Sequence, residues 1–493
     1  MKILGLHNSL ESSVSLFLNG KIVSAISEER FKRIKNYRGF PSKALKYTLE
    51  KYKLNLKDFD FIVYGIVEKI YPEEDIKNKF EKKIKETPKK FHKKIFQRIK
   101  TEIDWNKRYI KRIKQFARKN NILDKLVFVD HHESHAASAY FCSPFKNAYI
   151  FTLDGKGGFR SGSYYIGQKA NFQRKQYLTT FESLGYFYGN VTRALGFKSE
   201  RHEGKVTGLA AFGKKTNLIK YFKRIIVNKK DTFSINFGQD YLPWFCEKKN
   251  IPNFYQMLSK FSKEDIAYAA QYILEKTVVT YIKKNIPKDK KVNICLAGGV
   301  FANVKLNQKI REIKNVKNVY VQPAMSDTGI SLGSIFAFLN KKKKIKPKYL
   351  NSVALGSEYK INRINKNLKK KYIIKKENNI EEILINEFKK GNPIGYFSGK
   401  MEFGPRALCN RSILYHGKDK SINYWLNKRL HRTEFMPFAP VTIEEYAKKC
   451  FVGWKKNDVS ADFMTMTYKC TNNFIKQCPA SIHIDKTARP QII

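Results

Sequence analysis

The sequence predicts an α/β protein whose first 340 residues hold two halves of similar plan, and three observations carry this prediction. Strand patterns alternate with helical ones, a strand followed by a tight hairpin opens the chain and recurs near residue 147, and several strands end in glycine turns that lead into helices. The 493 residues call for two or three domains, because a single core rarely serves more than about 250–300 residues.

In order, residues 2–7 (KILGLH), 13–18 (SVSLFL) and 21–27 (KIVSAIS) read as three short strands, with Asn19-Gly20 as the hairpin turn. Pro41 opens a helical pattern through Ala44, Leu45, Thr48 and Leu49, and FDFIVYG at 59–65 reads as a buried strand. Residues 68–125 form a Lys-rich insertion with spaced apolar positions such as Phe80, Ile84, Phe91 and Ile95, expected to be amphipathic helices without chemistry. LVFVD at 126–130 feeds a helix starting near His131. NAYIFTLDG and SGSYYIG (161–167) then repeat the opening order. The strands in NICLAGG and VKNVYV run into helices from Ala302 and from Ile330 to Leu339. The run KKKKIKPK at 341–348 reads as a solvated linker, which sets the expected division: 1–340, a linker at 341–350, and a mixed α and β unit at 351–493.

Composition narrows the function classes. Hydrophobic residues make up 42% and aromatics 14%, enough to bury a core, so wholesale disorder is excluded. Lys and Arg number 96 against 43 Asp and Glu, a net +53 that favours anionic partners. The joint abundance of Lys, Ile, Asn, Phe and Tyr also fits a composition bias that covers every surface with lysine, so nucleic-acid binding is open but not favoured. The seven cysteines are scattered with no CxxC pair, which indicates neither a disulfide framework nor a cysteine zinc site. No signal peptide and no apolar run of membrane-spanning length is apparent, so a cytoplasmic protein is expected.

Three constellations carry chemistry. His131 and His135 in HHESH fall on one helix face, the spacing at which two imidazoles grip one metal ion, and Asp154 in TLDG ends a strand that a parallel layout brings beside them. The competing reading is that these histidines cap the helix. Glycine turns at Gly155, Gly157 and Gly158, at Gly204 and Gly208, at Gly298 and Gly299 and at Gly329 let backbone N–H groups approach an anion, and with Asp154 and Asp327 they outline an ATP cleft. Turn chemistry without a ligand remains the alternative. Arg406, Arg411, Arg432 and Arg489 sit among Gly, Pro and apolar neighbours, in a pattern suited to capture of phosphate or carboxylate, or to a salt-bridge network with Glu402 and Glu434.

In order along nearly the whole chain, ILGLHNSLESS, EERFKRIK (28–35), HHESHAASAY, TLDGKGG, EGKVTGLAAFG, GGVFAN, SDTG, MEFGPRALCNRS and EFMPFAP resemble the O-carbamoyltransferases of nodulation, cephamycin and aminoglycoside biosynthesis, the NodU/CmcH family. The resemblance implies an actin-like (ribonuclease H-like) duplicated ATP-binding domain followed by a YrdC-like α+β domain. It implies breakdown of carbamoyl phosphate in the YrdC-like part, carbamoyladenylate made with ATP and Mg, and transfer to a hydroxyl of a sugar, nucleoside, glycan or secondary metabolite. A threonylcarbamoyl-type enzyme acting on transfer RNA is the enzymatic rival, and a nucleic-acid-binding relative without transfer is the non-catalytic one.

Carried over by position, His131, His135, Asp154 and Asp327 match the metal ligands, for Fe(II) or another divalent ion. Gly155, Gly158, Lys205, Gly208, Gly298, Gly299 and Asn303 match the nucleotide site, and Lys35 matches a basic residue near transfer. Lys400, Arg406, Arg411, Arg432 and Arg489 match the carbamoyl-phosphate lining. Three departures follow. Leu10 stands where the family has a histidine near the acceptor, so His7 or Glu11 is expected to replace it; Cys409 stands where glycine is commoner; and Ile493 ends the chain soon after TARPQ, as a truncated C-terminal domain would. Relatives of this kind are often oligomers, so a homo-oligomer is a further expectation.

Overall fold

Two five-stranded mixed sheets form the frame, and they repeat one plan. The computed structural model describes residues 1–237, 241–359, 371–432 and 436–493. In the first sheet the order is β3 (Lys21–Ser27), β2 (Ser13–Leu18), β1 (Ile3–His7), β4 (Phe61–Tyr64) and β5 (Leu126–Phe128). The first three strands form an antiparallel meander, and β4 and β5 add in parallel. After β6 (Asn147–Gly157), β7 (Arg160–Gln168) and β8 (Asn171–Thr179) comes a small ribbon, β9 (Ile226–Asn228) with β10 (Phe233–Ile235). The second sheet runs β8, β7, β6, β11 (Val292–Ala297) and β12 (Val316–Val321), again a meander extended by two parallel strands.

Two helices lie between the sheets. Ile330–Lys343 packs on the first sheet, His131–Phe141 packs on the second, and the two helices pack on each other. Small residues permit this closeness: a Cβ added at Gly333 would stand 1.9 Å from the Ser134 carbonyl oxygen, and one at Gly5 would stand 1.9 Å from that of Ser331. Backbone therefore touches backbone at both crossings, which fixes the frame from which β6 presents Asp154 and the turn Asp327–Gly329 presents Asp327.

The 68–125 insertion forms the helices Glu74–Lys85 and His92–Lys119. The longer helix bridges the sheets, because Ile95 lies in the apolar cluster of the second sheet while Ile113 and Ala117 lie in that of the first. The lysines of the 341–348 run are exposed, and the run is also tied to the core at intervals. The helix continues to Lys343, and beyond it the N–H groups of Lys348 and Leu350 donate to the carbonyls of Phe141 (2.9 Å) and Cys142 (3.0 Å), while Ile345, Tyr349 and Leu350 pack on the core. The lysines masked three apolar side chains that the chain can bury at little cost. Likewise Gly299–Ala302 is a 3-10 turn, and the regular helix after β11 begins at Val304.

The remaining residues combine a hairpin, β13 (Ile394–Phe397) with β14 (Arg411–Leu414), and helices such as Ser421–Arg429 and Glu444–Cys450. Short ladders join β15 (Val441–Thr442) to β18 (Gln491–Ile492) and β16 (Tyr468–Lys469) to β17 (Thr487–Ala488). Phe451, Trp454, Met466, Tyr468, Phe474 and Ala488 share the apolar cluster of the second sheet, so this part docks through a continuous core. Glu434 lies outside the described residues.

Candidate functional site

Asp130 caps the helix His131–Phe141, its side chain accepting from the Glu133 N–H at 2.8 Å. The cap is thus an aspartate, and His131 and His135, one turn apart, turn their Nε2 atoms to a common point. His135 Nε2 lies 3.2 Å from Asp154 Oδ2 and 3.5 Å from Asp327 Oδ1, and His131 Nε2 lies 3.4 Å and 3.5 Å from the same atoms. Ligand atoms bonded at about 2.1 Å to one divalent ion stand about 3.0–3.4 Å apart in octahedral or tetrahedral sets, so these spacings fit a metal centre. One ligand atom from each of the four residues falls within 4.8 Å of all the others.

The electrostatics agree with the geometry. Burial pulls the His135 imidazolium down, but Asp154 and Asp327 outweigh it and lift the group to about 9. Burial pushes the Asp327 carboxyl up, but His131, His135 and His7 hold it well below the usual carboxylate range. Two carboxylates drawn together in the interior favour positive charge at this spot, whether from protons or from a cation. His132 takes no part: burial and His131 drive it down to about 3, and its Nδ1 lies 3.1 Å from Thr152 Oγ1.

His7 and Glu11 flank the cluster. His7 is buried, with Nε2 3.5 Å from Asp327 Oδ2, so it is tied to a metal-side carboxylate. Glu11 sits at φ 54°, a left-handed backbone conformation uncommon outside glycine. Its carboxylate accepts from Ser326 Oγ, from the Thr328 N–H (3.4 Å) and Oγ1 (3.3 Å), and from Asn36 Nδ2 (3.1 Å). Burial pushes Glu11 up to about 7 against these bonds, with the Asp327 and Glu29 charges adding to the rise. Lys35 is exposed, and its neighbour Asn36 is the residue that touches Glu11.

The glycine turns close on the same place. Gly298 adopts φ 103°, its N–H donates to the Met325 carbonyl at 2.6 Å, and a Cβ there would stand 2.2 Å from the Leu153 carbonyl oxygen. Only glycine lets this turn pass so near the end of β6. Gly299 lies against Asp154, while Gly155 bonds the Asp154 carboxylate through its N–H (2.7 Å) and Gly158 turns at φ 64°. Gly208 and Lys205 lie in the helix Glu203–Leu209, with the Lys205 ammonium 5.7 Å from the centre of the Phe197 ring. Asn303 lies directly after the Gly299–Ala302 turn. Its amide pairs reciprocally with that of Gln271 (2.8 and 3.1 Å) and caps the following helix through Leu306 N–H (3.0 Å).

The arginines divide. Arg489 is driven well below its ordinary value, first by burial and then by the charges of Arg406 and Arg432. Burial brings Arg406 down to about 10, and the Nε atoms of Arg406 and Arg489 are buried without a partner. No salt bridge reaches Arg406, Arg432 or Arg489 among the described residues, and Glu402 is engaged elsewhere, by the N–H groups of Leu408, Asn410 and Arg411. Arg411 stands apart: its guanidinium donates to the carbonyls of Ser357, Ser398, Gly399 and Asn410 at 2.6–3.2 Å and covers the Phe397 ring at 3.5 Å. Lys400 offers its carbonyl to Asn410 Nδ2 (2.6 Å). Arg406 reaches the Ala302 carbonyl at 3.5 Å, and Arg30 holds the Gly404 carbonyl at 2.7 Å, so the arginine group is seated against the turn that follows Gly298.

The sequence reading expected amphipathic helices without chemistry in 68–125 and missed one stripe of the helix His92–Lys119. Arg98, Glu102, Trp105 and Tyr109 recur at four, three and four residues, one stripe of the helix. Tyr109 Oη lies 3.4 Å from Ser9 Oγ beside the β1–β2 turn, and Trp105 packs under the Lys156 ammonium, 3.8 Å from the ring centre. Burial pulls Lys156 down to about 8. The stripe was legible as a periodicity, but lysines on every other face made it look solvated.

Two family models match the chain. The family model described as Carbamoyltransferase N-terminus matches residues 2–336, and that described as Carbamoyltransferase C-terminus matches residues 385–493. An uncharacterized protein of Methanocaldococcus jannaschii is 32% identical over the whole of this chain and 87% of its own length. Nodulation protein NolNO of Sinorhizobium fredii is 27% identical over 98% of this chain and 69% of its own. Component A of the Acidaminococcus fermentans (R)-2-hydroxyglutaryl-CoA dehydratase is similar in structure at a TM-score of 0.38 and 14% identity, over 69% of this chain and 98% of that one. Among the described residues no helix is long and apolar enough to cross a membrane.

Proposed function

The chain belongs to the carbamoyltransferase family, and from that premise we propose that it is an ATP-dependent O-carbamoyltransferase working through carbamoyladenylate. The carrying observation is one chain that holds a buried two-histidine, two-aspartate cluster and, seated against the neighbouring glycine turn, three arginines that form no salt bridge among the described residues. In this reading the two repeated sheets are an actin-like ATP-binding domain, 1–340, and residues 351–493 are a YrdC-like domain joined through 341–350. Carbamoyl phosphate binds at Arg406, Arg432 and Arg489, and water releases phosphate and carbamate there.

The carbamate oxygen then attacks the α-phosphorus of ATP, whose phosphates lie along the Gly155, Gly158, Gly298 and Gly299 turns, and pyrophosphate leaves. A divalent ion held by His131, His135, Asp154 and Asp327 supplies neutralisation of phosphate charge. Seating Arg406 on Ala302 keeps the two steps together, which shields short-lived carbamate from bulk water. In the last step the acceptor oxygen attacks the carbamoyl carbon, the bond to the AMP oxygen breaks, and the hydroxyl proton passes to Glu11. Glu11 suits this role better than His7, because it stands near neutrality in its affinity for a proton and His7 is held by Asp327.

The test needs no acceptor. The full chain with carbamoyl phosphate, ATP, magnesium and iron(II) releases pyrophosphate and forms carbamoyladenylate, detected by mass spectrometry, and both vanish in His131→Ala. Intact ATP, or ADP as the sole product, sinks the reading.

A further inference from the structure

The bridging helix His92–Lys119 runs across the mouth of the cleft, from the turn after β1, where Tyr109 meets Ser9, to the end of β6, where Trp105 meets Lys156. Its stripe is charged as well as aromatic, and the charges balance with one exception. Arg98 pairs with Glu102 (2.9 Å), whose other contact is Thr180 Oγ1 (2.9 Å), and Arg38 pairs with Glu200 (3.2 Å) on the rim. Lys156 has no hydrogen bond or salt bridge among the described residues; its only close neighbour of note is the indole of Trp105, which Arg98 approaches at 5.0 Å. A half-buried ammonium that lies on an indole face and makes no salt bridge among the described residues is a ready partner for an anionic ligand.

We propose that this helix face and Lys156 form the recognition subsite for the hydroxyl acceptor, and that the acceptor carries an acidic group, a carboxylate or a phosphate ester, which pairs with the Lys156 ammonium. The assignment rests on the carbamoyl-transfer reading above. Lys156 follows Asp154 by two residues on β6, and Asn36 links Glu11 to Glu200 O at 2.8 Å, beside the Glu200 carboxylate whose charge acts on Lys156, so Lys156, the metal cluster and Glu11 border one rim. The charges around Lys156 come from Glu102, Arg98, Arg38 and Glu200, that is, from the inserted helix and the rim, and not from the glycine turns assigned to the nucleotide. Trp105 is a positioning residue, because it holds the Lys156 side chain and leaves the ammonium tip to the ligand.

Calorimetric titration of the metal-loaded full chain with D-glucuronate, glucose 6-phosphate and methyl glucoside tests this directly. One of the two acidic sugars binds at least about tenfold more tightly than methyl glucoside, and which one it is separates carboxylate from phosphate. In Lys156→Met that preference disappears, in Lys156→Arg it persists, and the melting temperature of Lys156→Met does not fall, since an unpaired charge has been removed. Equal binding of acidic and neutral sugars, no binding of either acidic sugar, or a Lys156→Met effect on the KM for ATP in place of sugar binding overturns the assignment. Failure of the wild-type chain to release pyrophosphate marks failure of the carbamoyl-transfer reading instead, and is read in a separate assay without sugar.

Discussion

The histidine–aspartate cluster and the arginine cluster both withdraw charge from water, yet they are built on opposite principles. His131, His135, Asp154 and Asp327 carry complementary charge, hang from the second sheet, the helix His131–Phe141 and the turn Asp327–Gly329, and lie 3.2–3.5 Å from one another across opposite charges. Arg406, Arg432 and Arg489 carry one sign, come from irregular segments of the C-terminal part, and repel each other. The first cluster is preorganised and needs a cation only to replace protons. The second is under electrostatic strain that an anion relieves, so ligand binding there should stabilise the protein. Fixed geometry serves chemistry on a phosphate, while unmet charge serves capture.

The comparison breaks most visibly at Asp154. Asp154→Asn is expected to lower pyrophosphate release by at least about a thousandfold and to deplete bound metal in elemental analysis, because one anionic ligand is lost from the centre. Retained metal and turnover would mean that the four side chains hold themselves together and nothing else. Glu11→Gln comes next, with transfer falling about a hundredfold or more and the acid limb near pH 7 gone from the pH–rate profile. The same variant reports on stability. Glu11 holds its proton more tightly in the fold than in the unfolded chain, so stability falls as pH rises from about 4.5 to about 7, by about 3 kcal/mol in all, and is flat beyond. Denaturant titrations of Glu11→Gln across that window should lose this slope.

Smaller effects sharpen the contrast among the arginines. Arg489→Met is expected to raise the KM for carbamoyl phosphate by about ten- to a hundredfold, with a melting temperature equal to or above that of the wild type. Arg411→Ala is expected to do the reverse, costing about 1–3 kcal/mol of stability through the carbonyls it leaves unpaired and changing the KM little. If both variants lose stability alike, the arginines form a structural network and the contrast fails.

Much of the frame was legible in the sequence, because apolar alternation and Asn19-Gly20 report local preference directly. The strands of both sheets other than β8, together with the insertion helices, fall where those patterns put them. The spacing of His131 and His135 and the strand-end position of Asp154 likewise put those side chains within reach of one another. Contacts across the fold were not legible. Nothing local in RALCNRS says that Arg411 is saturated by backbone carbonyls while Arg406 reaches one and keeps its Nε unpaired, since the deciding carbonyls of Ser357 and Ala302 lie far away in the chain. The pairing of Asn303 with Gln271, 32 positions away, was equally hidden. Lys156 was hidden by abundance: in a chain with 96 Lys and Arg, one lysine that faces inward has no signature of its own.

The backbone contacts of Gly5 with Ser331 and of Gly333 with Ser134 bear on how this protein can change over generations. With no side chain between the layers, the gap between the histidine-bearing helix and the turn that carries Asp327 is set by peptide dimensions, which no gradual exchange of one residue for a slightly larger one can adjust. Any substitution at either glycine must wedge the layers apart, so variation is channelled outward to the inserted helix and the rim. A lineage built on this frame is therefore free to exchange acceptors and is held to one reaction.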